Sequence, residues 1–230
     1  MPFNLENIAE SGQILIDKPA GMTSFGVVAR VRRVLGERLG RKKVKVGHTG
    51  TLDPFATGLL VLLYGKETKN AMALTKLDKV YEAEIILGKT SSTGDPEGEI
   101  TAFSGQINPP TREEVMKACQ QFVGKITQTP PAFSAIKING QRAYNLARKG
   151  EAVEIPQRQV EIFSLEVLEY DFPKLKIRTH VSSSTNIRTL AEDIGQALNT
   201  GAYCQELRRT KIADFDIKDA LKLEDLGVKN

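Results

Sequence analysis

The sequence contains few of the residues that bind metals or form disulfides. Its 230 residues include two cysteines, Cys119 and Cys204, and two histidines, His48 and His180. These residues are too few and too scattered for a zinc-ligand pattern or a disulfide framework. We therefore expect neither a metal site nor a cross-linked scaffold.

Long hydrophobic runs are also absent. The longest uninterrupted apolar run, residues 59–64, is far shorter than the roughly 20 residues that cross a bilayer. The opening stretch, MPFNLENIAE, carries acidic residues and no hydrophobic signal region. These absences predict a cytoplasmic protein that makes no membrane contact.

Positive charge is concentrated in one segment. Residues 30–45 contain eight lysines and arginines and one glutamate, whereas the whole chain has a formal net charge of +4, so the remainder is net acidic. Such a polarised distribution favours a partner with a phosphate backbone. A solvated charge run at a helix end is the alternative interpretation.

Apolar periodicity predicts an α+β fold. The apolar positions of the first helix, which Ser24 is expected to cap, recur at helical spacing. Thr111 and Glu114 form a capping box that opens another helix, and Ser182 to Thr185 offer caps for the last helix. Strands are predicted over 13–17, 59–64, 80–87, 161–170, 175–181 and 203–214, and helices over 67–77 and 187–198.

The most informative segment is residues 47–58, GHTGTLDPFATG. Its glycines permit positive φ and close backbone approach, and Pro54 pushes Asp53 towards an extended conformation ahead of an apolar strand. Asp before Pro is by itself a common turn signal. The twelve-residue context predicts instead a carboxylate presented to a ligand.

This segment resembles the GHTGxLDPxATG signature of the bacterial TruB-type tRNA pseudouridine synthases. Residues 17–24 (DKPAGMTS) resemble the KPxGxTS motif of that family, and residues 129–140 (TPPAFSAIKING) resemble its QxPPxxSAxKxxG segment. Residues 205–210 (QELRRT) are similar to its closing LRR element. The resemblance covers nearly the whole chain and implies the pseudouridine synthase fold, a mixed, mostly antiparallel sheet flanked by helices and loops.

The resemblance implies two catalytic residues. Asp53 aligns with the catalytic aspartate of the family, and Arg188 aligns with the arginine that pairs with it. A carboxylate beside RNA phosphates tends to have a raised pKa, so a cation is needed to keep it charged. From the residues alone, Arg188 could equally be a surface arginine, because it lies off the apolar stripe of its helix.

Substrate contacts are also implied by the resemblance. Tyr81 matches the tyrosine that stacks on the target uracil, and His48 matches the histidine that reaches into the RNA loop. Leu207 aligns with a residue lining the uracil pocket, and Lys69 with a basic residue near the site. The alternatives are a half-buried strand tyrosine, a hydrogen-bonding turn histidine, a core leucine and a solvated helix lysine.

One segment departs from the family pattern. Where the family usually reads CSKGTYIR, residues 181–188 read VSSSTNIR. Asn186 therefore takes the position of a substrate-contacting tyrosine, and Ser184 replaces a glycine whose conformational freedom the turn uses. We expect activity to survive, with efficiency or RNA selectivity altered.

The implied function is isomerisation of the uridine at position 55, in the T-loop of tRNA, after base flipping and without a cofactor. We expect one catalytic domain over 1–230, a segment at about 125–154 that clamps the RNA, no separate C-terminal accessory domain and a monomer. The rival is a non-catalytic RNA-binding or tRNA-folding protein that keeps the fold. A uridine methyltransferase is set aside because the sequence has no G-x-G-x-x-G loop and no cysteine in a nucleophilic setting.

Overall fold

The computed structural model describes residues 8–129, 137–138, 141–142 and 156–227. The chain divides into two compact units, the first formed by residues 1–82 and 207–230 and the second by residues 83–206. No helix in the described part of the chain is long and apolar enough to span a membrane.

The elements follow one another in this order: β1 (Gly12–Lys18), α1 (Ser24–Arg38), β2 (Val46–His48), β3 (Thr57–Tyr64), a 3₁₀ turn (Gly65–Asn70), α2 (Ala71–Thr75), β4 (Lys79–Leu87), β5 (Lys89–Ser91), β6 (Ile100–Ala102), α3 (Arg112–Gln120), β7 (Gly124–Gln128), β8 (Lys137–Ile138), β9 (Gln141–Arg142), β10 (Arg158–Asp171), β11 (Lys174–Val181), α4 (Ile187–Ala197), β12 (Ala202–Ile212), β13 (Phe215–Asp216) and two more 3₁₀ turns (Ile217–Asp219 and Glu224–Leu226). Strands β4 and β12 each contribute residues to both units.

Strand β3 is the centre of the first unit. It pairs antiparallel with β1 along its whole length, from Gly12↔Tyr64 to Lys18↔Gly58, and antiparallel with β2. It pairs parallel with β12 at Arg208↔Thr57, and β13 returns antiparallel to β12. Among the strand pairings of the described residues antiparallel ones predominate, and that of β3 with β12 is parallel, so the sheet is mixed and mostly antiparallel, which confirms the predicted fold class.

The apolar run of β3 has a simple cause, since both faces of the strand are buried. Leu60 and Leu62 pack with the valines of α1 in one cluster, whereas Leu59 and Val61 pack with Ile212 in another. A strand covered on both faces reads as a continuous apolar run rather than an alternating one. Each fully buried leucine contributes roughly 1.5–3 kcal/mol to folding.

Two details of the helices predicted in the first unit are wrong. The cap of α1 is Thr23, whose Oγ1 accepts a hydrogen bond from the Gly26 amide at 2.9 Å, so Ser24 is the first helical residue. The single helix predicted over 67–77 is instead a 3₁₀ turn followed by the five-residue α2. Neither piece contains a buried residue, so no packed apolar face stabilises a longer α-helix.

In the second unit the strand order is β4, β11, β10, β7. β10 and β11, which cover the strands predicted over 161–170 and 175–181, form a hairpin with Asp171 paired to Lys174, and β10 pairs antiparallel with β7 on its other side. The capping box of Thr111 and Glu114 is present at the start of α3. Helix α4 buries the predicted apolar stripe, including Leu190 and Ile194.

The predicted RNA-clamping segment, 125–154, falls mostly outside the described residues. Its first residues belong to β7, and two short strands, β8 and β9, pair with each other at Lys137↔Arg142. Residues 130–136, 139–140 and 143–154 lie outside the described residues, so the clamp stays a prediction.

Candidate active site

Asp53 lies in the loop that joins β2 to β3 in the first unit. Asp53 is half-buried. Its main-chain carbonyl accepts a hydrogen bond from the Ala56 amide at 3.2 Å, which closes the turn around Pro54. At the start of the loop the Thr49 amide donates to the Val61 carbonyl at 3.1 Å. The aspartate is therefore presented from a short, internally bonded turn, as its sequence context predicts.

Lys18 fastens one side of this turn. Its side chain is completely buried, and its ammonium donates to the carbonyls of Pro19, Met22 and Pro54 at 2.8, 2.6 and 3.2 Å. The Gly21 amide also donates to the Pro54 carbonyl, at 2.8 Å. A buried ammonium is costly unless its donors are satisfied, and here three carbonyls satisfy them. The lysine of the KPxGxTS-like motif thus ties the first loop to the turn carrying Asp53.

Ser24 fastens the residue immediately before Asp53. The buried Ser24 hydroxyl donates to the Leu52 carbonyl at 3.0 Å and accepts from the Leu52 amide at 2.8 Å. One side chain therefore satisfies both backbone groups of a residue that is itself buried. Because Ser24 is fixed in the first turn of α1, the helix holds the backbone from which Asp53 projects.

Arg209 holds the same loop from the C-terminal part of the unit. Its guanidinium is buried, with Nε donating to the Leu59 carbonyl at 2.8 Å and Nη2 donating to the Gly50 carbonyl at 3.0 Å. Its neighbour Arg208 pairs with Asp17 at 2.7 Å. Hydrogen bonds from a charged donor are stronger than those between neutral groups. The LRR-like element therefore positions the loop through main-chain carbonyls.

Gly58 allows β12 to approach β3 at the end of this loop. Its φ is +105°, and a Cβ at this position would overlap the backbone of Arg209, with which it is paired. Only glycine adopts this backbone conformation without strain and leaves that space empty. The final glycine of the twelve-residue signature is thus required by packing.

Lys79 adds an unexpected buried cation to the first unit. Its ammonium donates to the carbonyls of Thr75, at 3.1 Å, and Leu77. Burial, and secondarily the charge of Arg209, lowers the pKa of Lys79 to about 8. The positive field on this side of the Asp53 loop thus comes from both Arg209 and Lys79.

The other predicted site residues of the first unit occupy different environments. Tyr81 and Leu207 are each 7% exposed, on β4 and β12 respectively. His48 is half-buried at the end of β2, opposite Leu62 in the register. Lys69 is exposed in the 3₁₀ turn after β3, rather than on the predicted helix.

Arg188 lies in the second unit and is buried, with 4% of its surface exposed. Its Nη1 donates to Asp95 Oδ2 at 2.9 Å and to the Thr93 carbonyl at 2.8 Å. The other oxygen of Asp95 accepts from Thr93 Oγ1 at 2.6 Å and from the Glu97 amide at 3.0 Å. Arg188 is therefore held in a buried ion pair with Asp95 and is not a surface residue.

Asp95 is a residue that the sequence analysis does not identify, although it stands before a proline in the same way as Asp53. That Asp-Pro dipeptide was the available signal. Asp53 and Arg188 belong to different units, so their pairing stays a prediction carried by the family resemblance.

Asn186 acts as the N-cap of α4, which corrects the expectation that Ser182 to Thr185 would supply the cap. Its Oδ1 accepts from the Thr189 amide at 2.9 Å. Its backbone is bonded twice to Gln128 of β7, at 3.0 and 3.1 Å. Nearby Ser184 has a φ of 71°, the left-handed conformation that the family glycine at this position favours. The side chain that replaces a tyrosine therefore stabilises the helix bearing Arg188.

No cluster of three or more metal-ligating side chains occurs among the described residues. Both cysteines are buried and neither forms a disulfide, and burial raises the pKa of Cys119 to about 11. Such a thiol forms almost no thiolate at neutral pH and is not an activated nucleophile.

Solved structures share this fold. One chain in a crystal structure of a Cbf5-Nop10-Gar1 complex matches with a TM-score of 0.71 and 30% identity, over 94% of this chain and 53% of that one. Another, in an H/ACA RNP bound to a substrate RNA containing 2′-deoxyuridine, matches with a TM-score of 0.68 and 27% identity, over 97% of this chain and 56% of that one. The chain thus spans about half the length of these solved chains. The mixed sheet with its flanking helices is the pseudouridine synthase fold.

Sequence comparison then identifies the family. Residues 32–187 match the N-terminal domain of the TruB family pseudouridylate synthases, and residues 188–229 match the C-terminal domain of tRNA pseudouridylate synthase B. The tRNA pseudouridine synthase B of Phocaeicola vulgatus is 45% identical over 95% of this chain and 92% of its own length. That of Bacteroides thetaiotaomicron is 46% identical over 94% and 91%. The chain belongs to the TruB family.

Proposed function

We propose that this protein isomerises the uridine at position 55, in the T-loop of tRNA, to pseudouridine, with Asp53 as the catalytic residue. The observation that carries the proposal is the fastening of the Asp53 loop by three side chains from two other motifs, Lys18, Ser24 and Arg209. Catalysis requires a reacting group held in a fixed geometry, and these contacts supply it. The tRNA-modifying relatives, similar along almost their entire length, support the choice of substrate.

The reaction needs one carboxylate and no cofactor. The N1–C1′ glycosidic bond breaks, the base turns and C5 bonds to C1′. The C5 hydrogen leaves as a proton and N1 takes up a proton, so the composition of the RNA is unchanged. An ionised Asp53 serves either by attacking or deprotonating the ribose as the glycosidic bond breaks, or by adding to C6 of uracil. The geometry of the loop is compatible with both routes.

The remaining roles follow the family resemblance and belong to the proposal. A base inside a folded RNA arm must be extruded before it reacts, and flat or apolar groups receive it. Tyr81 stacks on the uracil, Leu207 lines its pocket, and His48 enters the RNA loop. Arg188 keeps the catalytic carboxylate charged, and Lys69 contacts the RNA near the site.

Asn186 has a different proposed role from the tyrosine it replaces. Its side-chain oxygen already caps α4, so it contributes to the site chiefly by fixing the helix that carries Arg188. It contacts the substrate through the N–H donors of its side-chain amide. We propose that the protein works as a cytoplasmic monomer with one catalytic domain over residues 1–230.

Tritium release from tRNA transcripts labelled at uracil C5 tests the proposal, because forming the C5–C1′ bond expels that hydrogen. Wild type should release tritium, and Asp53→Asn should release none while still binding tRNA. Asp214→Asn, which neutralises an exposed carboxylate in the same unit, is the matched control and should retain activity. Tight, salt-sensitive binding of tRNA without release by wild type would favour the rival, a non-catalytic RNA-binding protein.

A further inference from the structure

A buried lysine lies beside Arg209 under the loop that joins β2 to β3. Lys79, the first residue of β4, is 6% exposed, and its ammonium donates to the main-chain carbonyls of Thr75, at 3.1 Å, and Leu77. A Cβ atom at Gly50 of the loop would lie 3.5 Å from Arg209 Nη1 and 3.6 Å from Lys79 Cε. Gly50 therefore lies against both cationic side chains at once.

Two neighbouring cations in a buried place lower the stability of the fold. The pKa of Lys79 is lowered to about 8, first by burial and then by the charge of Arg209, whereas the carboxylate of Asp78 opposes the shift. The acceptors of the Lys79 ammonium are uncharged carbonyls, which do not require a charged donor. A cation kept at such a cost is typical of a functional site, where the charge acts on a reacting group.

Strand alternation places both cations beside the residues proposed to receive the uracil. Tyr81 follows Lys79 by two positions on β4, and Leu207 precedes Arg209 by two positions on β12. All four side chains are buried, and residues two apart on a strand lie on the same face of the sheet. Lys79 therefore shares a face of β4 with the tyrosine that we propose to stack on the base.

We propose that Lys79 is a positioning residue for the isomerisation: its positive charge, added to that of Arg209 under Gly50, keeps the Asp53 carboxylate ionised, so the reaction requires Lys79 in its protonated form. This role rests on the proposed function and adds a residue to its machinery. Gly50 is three residues before Asp53, so their Cα atoms are at most about 11 Å apart. Buried charges at such a distance are screened much less than surface charges.

The titratable groups around Lys79 come from the strands and the loop. Arg209 faces it from β12, Asp78 directly precedes it, and Tyr81 shares its face of β4. The loop contributes the carboxylate of Asp53, and helix α2, with the sequence AMALT, contributes no titratable side chain. Because an arginine stays protonated at any accessible pH, loss of the Lys79 proton is the change that weakens the positive field under the loop as the pH rises through 8.

The pH dependence of tritium release tests this role. Single-turnover rates, with enzyme in excess over tRNA labelled at uracil C5, separate the reaction from RNA binding. The wild-type rate should fall about five- to tenfold between pH 7 and pH 9, because a group with a pKa of about 8 goes from about nine-tenths to about one-tenth protonated. Lys79→Met should be about tenfold slower than wild type at pH 7 and show no such fall, so the two rates converge at pH 9. Lys79→Arg, which stays charged, should keep a level rate above that of Lys79→Met.

A purely structural role for Lys79 gives the opposite trend. Loss of its proton relieves the repulsion from Arg209, so the free energy of unfolding should rise with pH above 8 while the rate of tritium release falls. If Lys79 only stabilised the fold, the rate would not fall over this range. The matched control, Lys76→Met, removes an exposed lysine three residues earlier and should keep the wild-type rate and pH profile.

Three results would overturn the role of Lys79: a wild-type rate that stays level between pH 7 and pH 9, the same fall in Lys79→Met or Lys79→Arg as in wild type, or an equal loss of rate in Lys76→Met. If Lys79→Met does not fold, wild type and Lys79→Arg decide, since only the wild-type rate should fall with pH. Absence of tritium release by wild type at every pH would instead refute the proposed function, and the role of Lys79 with it.

Discussion

The hydrogen bonds between Ser24 and Leu52 make a specific prediction about Ser24→Ala. The substitution removes one oxygen atom and leaves the buried amide and carbonyl of Leu52 without their partner. An unsatisfied buried polar group costs about 1–3 kcal/mol, so losing both bonds should lower the free energy of unfolding by about 2 to 4 kcal/mol. For a chain of this length that corresponds to a fall in Tm of roughly 5 to 15 °C.

Ser24→Ala should also slow the reaction. Leu52 precedes Asp53, so greater mobility of the Leu52 backbone displaces the proposed catalytic carboxylate. A displacement of about 1 Å can lower the rate roughly 100-fold. We expect kcat for tritium release to fall about 10- to 100-fold, with little change in KM. Urea unfolding and single-turnover assays on the same preparation measure the two effects.

Thr23→Ala is the matched control for this substitution. Thr23 caps α1 through the Gly26 amide and is exposed, so its loss should cost only about 1 kcal/mol of stability. It should leave kcat close to wild type, because its hydroxyl bonds to the helix and not to the Asp53 loop. If Thr23→Ala and Ser24→Ala reduced kcat equally, or if Ser24→Ala changed stability alone, the claim that Ser24 positions Asp53 would be refuted.

Three further substitutions test other parts of the structure. Asp95→Asn removes the carboxylate charge that pairs with buried Arg188 and should lower stability by about 3–5 kcal/mol in thermal unfolding, whereas Glu99→Gln, at an exposed position, should have almost no effect. Burial lowers the pKa of Lys79 to about 8, below the roughly 10.4 of an unfolded lysine, so between these values the unfolded chain binds more protons and stability should rise with pH. Urea unfolding at pH 8 and pH 10 should show this rise in wild type but not in Lys79→Met. Gly58→Ala should cost about 2–4 kcal/mol, because the new Cβ meets the backbone of β12 at a positive φ; a loss below 1 kcal/mol would show that the strands separate easily.

Much of the architecture could be predicted from local patterns. The apolar run of β3, the stripe of α4 and the capping box at Thr111 each record a contact between near neighbours or a whole buried face, and the structure confirms them. The predictions fail where a side chain forms a hydrogen bond with a residue far away in the sequence. Ser24 was expected to cap its own helix, but its hydroxyl is bonded to Leu52, 28 residues away.

Buried cations were the least predictable feature of the site. Composition alone places lysine and arginine at the surface, yet Lys18, Lys79 and Arg209 are buried because main-chain carbonyls surround their charged groups. Arg209 bonds to Leu59, 150 residues earlier, and Arg188 bonds to Asp95, 93 residues earlier. Main-chain acceptors have no sequence signature, so no spacing rule reveals the contacts of Lys18, Lys79 and Arg209.

The discontinuity of the first unit has a consequence for biosynthesis. The Asp53 loop is translated early, but Arg209, which bonds to Gly50 and Leu59, is translated after the entire second unit. At a translation rate of roughly 5–20 residues per second, Arg209 is added on the order of ten seconds after the loop. A nascent chain therefore carries Asp53 long before it can hold that residue in place, and we expect activity to begin only after Arg209 has been synthesised.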